Sequence, residues 1–480
     1  MQPRKANSVK VLIDAAVRGK LTKAQAQQLY QQGPEVVTLV LLAASKRIAE
    51  LQAYCKSEPP SPSTPSGMVP IYTKPNAPKR RKRPGARSGH LGKRRAQPTK
   101  VDERRVHRLK RCPHCNGPLQ RCQRGRTRII EDIPEQIQPV VTEHTIYRDY
   151  CPNCKRHVEP VVLDALPHAM LGHHVVSLTS WLHYGLGVTI DQIIDILSYH
   201  LQTKLTAGGL VHAWQRLADI LTDWYEQIGT QAKQSTYLHA DETGWRVNGQ
   251  TQWLWCFANH MVCYYMIDRC RGSPALQKFF TDVFEGTLIT DFWAAYNMVC
   301  AEDRQYCLVH LLRELEKVDQ NNGSAEWRAF AKKLRRLIRD GIRLRYRKDF
   351  TPQGCASRIS RIKKRLTALA AGHYRDMDAK RLARRISKYR EGLFTFLDRP
   401  DIPFENNFAE RQIRPAVILR KNSQSNRSEK GASTQAVLMS VYRTLKLRGH
   451  HPTAIIADAL KTYLTTGQLP PLPPPIVANG

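Results

Sequence analysis

Long apolar runs are missing from this 480-residue chain: the longest largely apolar stretch, Val36 to Ala44, is far short of the roughly 20 residues a membrane-spanning helix needs. A secretory leader is missing too. The amino-terminal segment is polar, carries Arg4, Lys5 and Lys10, and has no apolar core followed by a cleavage site. The expectation is a soluble, cytoplasmic protein. Acidic residues are the third shortage. Only 41 Asp and Glu stand against 75 Lys and Arg, a formal net charge of +34, and no acidic residue lies between Lys74 and Lys100. A compact chain with that imbalance repels itself, so a polyanionic partner best explains it. Nucleic acid leads. A membrane surface is disfavoured because the basic residues do not border a lipid-binding apolar face.

At this length two to four folded units are expected. Residues 1–56 read as helical: Thr22 caps a helix running to about Tyr30, and Gly33-Pro34 separates it from a second one. In that second helix Val37, Leu41, Ala44, Ile48 and Leu51 form a leucine-zipper-like seam. The seam spans only about two heptads, which favours packing on its own domain over a coiled coil. Residues 57–100 turn to Pro, Ser, Gly and basic residues and read as a linker. Within it Lys79, Arg80, Arg81, Lys82 and Arg83 run together, a segment suited to neutralising phosphates without reading sequence.

Residues 101–160 hold two C-x-x-C pairs, Cys112 with Cys115 and Cys151 with Cys154. In a reducing compartment four such thiolates favour one structural, tetrahedral zinc over disulfides. Strand-like stretches at Thr127–Ile133 and Val140–Tyr147 suggest a zinc ribbon, although the separation of the pairs exceeds the usual span of about fifteen to twenty residues. His114, His157 and Cys122 are weaker substitutes. Residues 161–233 read as helical, and Ile190–Tyr199 followed by Ala207–Leu221 is spaced like a helix-turn-helix. A plain helical hairpin fits equally well.

The periodicity changes at Thr236. Thr236–Val247, Gln252–Asn259 and Met261–Asp268 read as successive strands, the first turn carrying Asn248-Gly249. A helix over Ser273–Phe284, a strand at Thr287–Asp291 and another near Gln305–Leu308 complete a β-β-β-α-β-α-β order. That order is the one found in a ribonuclease H-like core. Its first and fourth strands lie side by side, and here each ends in a carboxylate, Asp241 and Asp291. Glu242 is the rival to Asp241, but alternation along a strand sends the two to opposite faces. The basic helical segment 317–397 reads as an insertion into a catalytic unit spanning residues 234–440. After it, FENNFAERQIRP places Asn407, Glu410, Arg411 and Arg414 on one helix face, with Pro415 expected to end the regular segment. Arg420 and Lys421 follow as further candidates for phosphate contact. Residues 441–480 read as a helix and a Pro-rich tail. The fold class expected is therefore multidomain α+β.

Three carboxylates from separate elements, Asp241, Asp291 and Glu410, suit magnesium or manganese, which prefer hard oxygen ligands; two such ions serve in-line phosphoryl transfer. Glu405 is the rival to Glu410, poorly aligned with it on one helix face. Cys307 and His310 form a C-x-x-H pair, for which a core or positioning role is favoured over zinc.

HADETGWRV, TDFWAAY, NNFAERQIRP, the two C-x-x-C pairs and RPGARSGH together resemble the transposases of the insertion sequence sixty-six family, across nearly the whole chain. The resemblance implies a zinc-binding domain and a ribonuclease H-like domain with a DDE triad, matched by Asp241, Asp291 and Glu410. It further implies binding of double-stranded DNA at the element's terminal inverted repeats, two-metal cleavage there and joining of 3′ ends to target DNA. A homo-oligomer on the paired ends and accessory proteins of the same element would be the partners. A nuclease without strand transfer and a zinc-containing DNA-binding regulator are the competing readings.

Overall fold

The computed structural model describes residues 22–55, 98–120, 127–134, 137–423 and 425–476. The basic run Lys79–Arg83 and Cys122 lie outside them. The described residues divide into two compact units. One gathers Met1–Lys74, His310–Arg335 and Gly372–Ala383; the other gathers Pro75–Val309, Arg336–Ala371 and Arg384–Gly480. Among the described residues no helix is long and apolar enough to cross a membrane.

In the first unit, helix α1 (Lys23–Gln31) starts at a capping box: Thr22 Oγ1 accepts from Gln25 N at 3.3 Å and Gln25 Oε1 accepts from Thr22 N at 3.0 Å. Gly33 adopts φ +100°, a conformation glycine takes without strain, and Pro34 opens α2 (Pro34–Cys55). Of the zipper-like seam, Leu41 is 64 % exposed while Val37 and Ala44 are half-buried; the side chains of Ile48 and Leu51 lie outside the described residues. Later in the chain, Glu326 accepts from the Arg375 and Asp376 backbone amides, and Asp376 caps the following helix through Ala379 N at 3.0 Å. Scarce acidic residues in this unit are thus spent on holding turns.

The second unit is built on a mixed five-stranded sheet. Ahead of it, β1 (Asp149–Cys151) and β2 (Arg156–Val158) form a small antiparallel hairpin. Four helices follow: α3 (His173–Ser180), α4 (Ile190–Leu201), α5 (Ala207–Ile220) and α6 (Thr222–Lys233). The sheet comprises β3 (Tyr237–Val247), β4 (Gln250–Ala258), β5 (Cys263–Asp268), β6 (Phe284–Thr290) and β7 (Ala301–Tyr306), in the order β5-β4-β3-β6-β7. Asn248 and Gly249, at φ +49° and +72°, make the tight turn between β3 and β4 that their sequence foretells. Strands β3 and β6, first and fourth in the sheet, are parallel neighbours, as expected. The helix expected over Ser273–Phe284 is shorter: α7 (Ser273–Phe279) stops where Phe279 and Phe280 turn into the core, and Phe284 already begins β6. The second crossover holds only a 3-10 turn, Ala294–Met298.

Helices α8 (Leu308–Asp319), α9 (Ala325–Arg345), α10 (Ala356–Ala370), α11 (Met377–Tyr389) and α12 (Thr395–Asp398) account for the helical character of 317–397. They are followed by α13 (Asn407–Ser423), α14 (Glu429–Leu447) and α15 (Pro452–Thr466). Trp214, Trp224, Trp245 and Trp255 are fully buried in the core shared by the sheet and its helices. Burial of α5 through Leu210, Trp214 and Leu217 fits the plain hairpin; its first turn, Thr206 to Gly209, stands exposed, as do His212 and Asp219 on its outer side. Strand β5 is an edge strand whose outward amides are covered, Cys263 N donating to Thr444 Oγ1 at 3.0 Å and Tyr265 N to Ser440 Oγ at 2.9 Å, both from α14. The Pro-rich tail docks in this unit: Trp224 Nε1 donates to the Pro470 carbonyl at 2.7 Å, and Arg448 Nη1 to that of Pro473 at 2.6 Å.

Where β6 meets the entry to β3, the backbones come very close. A Cβ on Gly286 would lie 2.5 Å from the Ser235 carbonyl oxygen and 2.8 Å from that of Thr236. Gly286→Ala is expected to destabilise the unit by about 1–3 kcal/mol through this overpacking. A urea midpoint unchanged from wild type would contradict it.

Candidate active site

The parallel ladder between β3 and β6 pairs Tyr237 with Thr287, Leu238 with Leu288 and His239 with Ile289. Counting two residues beyond that last pair on each strand reaches Asp241 and Asp291. The register therefore brings the two carboxylates to one level of the sheet, on strands that lie about 4.7–4.9 Å apart where they pair. Asp241 is not at a strand end, contrary to expectation. β3 continues to Val247 because its other edge still pairs with β4, Asp241 opposite Cys256. Asp291, by contrast, follows directly on β6, and its Oδ1 accepts from Trp293 N at 2.8 Å. Asp241 Oδ1 accepts from Glu242 N at 2.9 Å.

Glu242, the rejected rival, occupies a built site of its own. Its Oε1 accepts from Arg271 Nη2 at 2.9 Å and Nε at 3.2 Å, and its Oε2 accepts from the Tyr296 hydroxyl at 2.7 Å. The Arg271 guanidinium lies over both the Trp253 and the Trp293 ring, 4.4 Å from each centroid. Burial and the surrounding carboxylates raise the Tyr296 phenol well above its ordinary range, so it is a neutral donor.

Glu410 sits in the first turn of α13, which packs on β3. Asn406, just ahead of that helix, joins three elements. Its Nδ2 donates to the Ala240 carbonyl at 2.8 Å, its Oδ1 accepts from His239 Nδ1 at 2.9 Å, its backbone N donates to Cys307 Sγ at 3.2 Å, and its carbonyl accepts from Glu410 N at 3.3 Å. Burial pushes the His239 imidazole down to about 4, so the ring is neutral and carries its proton on Nδ1. The core and positioning role expected for Cys307 is visible in that contact. Glu405 precedes α13 and is engaged by Asn407 Nδ2. Pro415 does not end the helix, as the sequence suggested it would. The helix runs on to Ser423 because Ala409, Gln412, Ile413, Ala416 and Leu419 form one buried face, which offsets the loss of one helical hydrogen bond.

Electrostatics ties the carboxylates together. Burial, then Glu242, Asp291 and Glu410, hold the Asp241 carboxyl well above the usual carboxylate range. Asp291 is also raised, chiefly by burial and further by Glu410, with Arg271 and Arg385 opposing. Burial and Asp291 raise Glu242 against the pull of Tyr296 and Arg271. The site is thus a half-buried, incompletely neutralised group of acids whose protonation or charge compensation by a cation would relieve repulsion.

Residues 168–434, a span containing all four of these acids, match the family described as Transposase IS66 family. The chain belongs to the IS66 transposase family. Among curated proteins it is similar to the uncharacterized protein y4jD of Sinorhizobium fredii, 22 % identical over 401 residues that cover 74 % of this chain and 75 % of the relative. A shorter match joins it to the uncharacterized protein y4jO of the same organism, 32 % identical over 98 residues, 20 % of this chain and 30 % of the relative.

An IS66-family transposase acts on DNA, so the placement of its basic residues matters. Arg411, Arg414 and Lys421 are exposed on α13. Arg420 is not: its Nη1 donates to Thr243 Oγ1 at 3.1 Å and to the Gly244 carbonyl, bracing β3 from the helix. In the cysteine-bearing segment each pair forms a knuckle closed by a left-handed residue, Asn116 at φ +56° after Cys115 and Lys155 at φ +51° after Cys154. Amides donating within each knuckle lower the Cys112 and Cys151 thiols. The strands expected at Thr127–Ile133 and Val140–Tyr147 are absent from the described residues there; Ile130, Ile133, Val140 and Val141 are largely exposed, with no surface to bury against. Among the described residues no three His, Cys, Asp or Glu side chains close around a position that could hold a metal ion. Neither the four cysteines nor Asp241, Asp291 and Glu410 form such a group among the described residues.

Sequence reasoning missed Asn406, His239, Arg271 and the two tryptophans. His239, Trp293 and Asn406 lie inside motifs it had singled out, HADETGWRV, TDFWAAY and NNFAERQIRP. Arg271 carried no signal, since a lone arginine in a loop is ordinarily a solvated charge.

Proposed function

We propose that this chain is a DDE transposase that cleaves DNA at the ends of an insertion sequence and joins the 3′ ends to target DNA. The observation that carries the reading is the common register of Asp241 and Asp291 beyond the β3–β6 ladder, with Glu410 acting on both. The sheet order, with β3 between antiparallel β4 and parallel β6, supports a ribonuclease H-like core. The donor set fits magnesium or manganese: three carboxylates, all hard oxygen, with uncompensated negative charge. When bound at Asp241, Asp291 and Glu410, such ions would supply activation of a nucleophile and neutralisation of charge on the phosphate. The chain's own part is to hold the acids in place, Asp291 by Trp293 N and Glu410 by the Asn406 carbonyl, while exposed Arg411, Arg414 and Lys421, together with the basic run Lys79–Arg83 of the sequence, track the DNA backbone.

The test uses duplex oligonucleotides carrying the DNA that flanks the coding region, with magnesium or manganese. Asp291→Ala and Glu410→Ala are expected to lower cleavage by about a thousandfold, near 4 kcal/mol of barrier, while DNA binding persists. Metal-dependent cleavage at wild-type rates by either variant would sink that assignment. Products joined to a second duplex separate a transposase from a plain nuclease.

We further propose that Cys112, Cys115, Cys151 and Cys154 hold one structural zinc ion, on the strength of two like knuckles with thiols biased toward thiolate. Elemental analysis of the purified protein should find about one zinc per chain, lost in Cys112→Ser; full zinc retention there would refute the four-cysteine site.

A further inference from the structure

Two buried side-chain donors beside the acids have no partner. Arg271 Nη1 and Trp293 Nε1 are both enclosed and both unbonded, and they belong to the same stack, with the guanidinium 4.4 Å from the Trp293 ring centroid. An unmade bond at an enclosed donor is costly, so a pair of them in one place calls for an explanation. Arg271 uses its Nε and Nη2 on Glu242, and its Cζ lies 4.4 Å from the ring centroids of both Trp253 and Trp293. Only the Nη1 edge is left. Trp293 in turn fixes Asp291 through its backbone amide, 2.8 Å from Oδ1, and Arg271 pulls on the Asp291 carboxyl. The donor pair is therefore tied to the acid-bearing loop after β6.

We infer that Arg271 Nη1 and Trp293 Nε1 receive a phosphate oxygen of the DNA strand that lies across the acids. An acceptor is what two N–H groups can take, and an anionic one is favoured by the guanidinium. Neither Asp241 nor Asp291 can bind a phosphate directly, since like charges repel. A cationic donor that is already partnered to Glu242 on one edge, and packed against two indole rings, offers its remaining edge in a fixed direction at little entropic cost. Both tryptophans are half-buried and the Arg271 side chain is 12 % exposed, so a small rotation of a ring opens the donors to an incoming strand. Glu242 then acts as a positioning residue, which is why the second acid of the Asp241-Glu242 pair is buried against an arginine instead of facing solvent.

The inference rests on the DNA-cleaving reading, and one set of measurements separates the two. Wild type, Trp293→Phe and Arg271→Lys are titrated in metal-free buffer with a fluorescent duplex copied from the DNA flanking the coding region. Parallel duplexes carry a neutral methylphosphonate in place of one phosphate at a time. Trp293→Phe keeps the ring over the guanidinium and loses only the donor; should Arg271→Lys fail to fold, Trp293→Phe alone carries the test. The expected result is a position at which methylphosphonate weakens wild-type binding about tenfold. Each variant binds the unmodified duplex more weakly by a similar factor and is indifferent to methylphosphonate at that position. A merely structural role would weaken binding at every position alike. An interference pattern in Trp293→Phe identical to wild type overturns the inference while leaving the transposase reading standing; a wild-type chain that neither binds nor cuts the duplex overturns both.

Discussion

Asp241→Asn is expected to make the metal-free protein more stable at neutral pH, by about 1–2 kcal/mol, while reducing cleavage by about a thousandfold. Asparagine keeps the Oδ1 that accepts from Glu242 N, so the backbone contact survives and only the charge goes. The gain follows from the direction of the shifts. Asp241, Glu242 and Asp291 all have carboxyl groups raised by burial and by one another. Above the ordinary carboxylate pKa of about 4, the unfolded chain gives up these protons while the folded chain retains them. The folded state then binds more protons, and stability falls as pH rises from there through the raised values. Thermal melts of wild type without divalent ions should show that decline, and Asp241→Asn should flatten it. Magnesium or manganese should reverse it in wild type, by about 2.7 kcal/mol at a hundredfold excess over the dissociation constant, and much less in the variant. A wild-type melting temperature that climbs with pH over this range, without metal, would contradict the placement of the acids.

The strands of this site were legible because their signals are local. Asn248-Gly249 can hardly be anything but a tight turn, and the alternating β3 and β4 sequences give their faces away. The parallel neighbour relation of β3 and β6 was foreseen from strand order, but the register was not. Nothing local distinguishes the pairing of His239 with Ile289 from a shift by two residues, and that pairing is what brings Asp241 level with Asp291. Pro415 misled for a related reason. Its local cost is real, yet the buried face of α13 outweighs it, and burial is a property of the whole unit. The strand-like stretches before Tyr147 erred the other way: their β-branched residues have the right propensity and no sheet to join. Arg420 reads as one more basic residue in a run, and only the packed structure shows it holding Thr243 and Gly244.

Asn406→Ala is expected to be the most damaging change outside the acids. The side chain satisfies two groups with no route to water, the Ala240 carbonyl and the His239 Nδ1–H, on adjacent residues of the strand that carries Asp241. Each buried group left without its partner costs about 1–3 kcal/mol, so a loss of about 2–5 kcal/mol is expected in urea unfolding. Function should suffer beyond stability. Asn406 also donates its backbone N–H to Cys307 at the end of β7 and accepts Glu410 N at the start of α13. Its side chain is what registers that junction against β3. Removing it frees Glu410 to shift relative to Asp241, and a displacement of about 1 Å at such a centre commonly costs about a hundredfold in rate. Asn406→Asp separates the contributions: it keeps an acceptor for His239 but sets a carboxylate oxygen against the Ala240 carbonyl with no route to water, so near neutral pH it should be at least as unstable as alanine and should recover as the pH falls and the carboxyl gains a proton to donate. If Asn406→Ala unfolds within about 0.5 kcal/mol of wild type and cuts DNA normally, the junction is incidental, and the placement of Glu410 beside the sheet must depend on the packing of α13 alone.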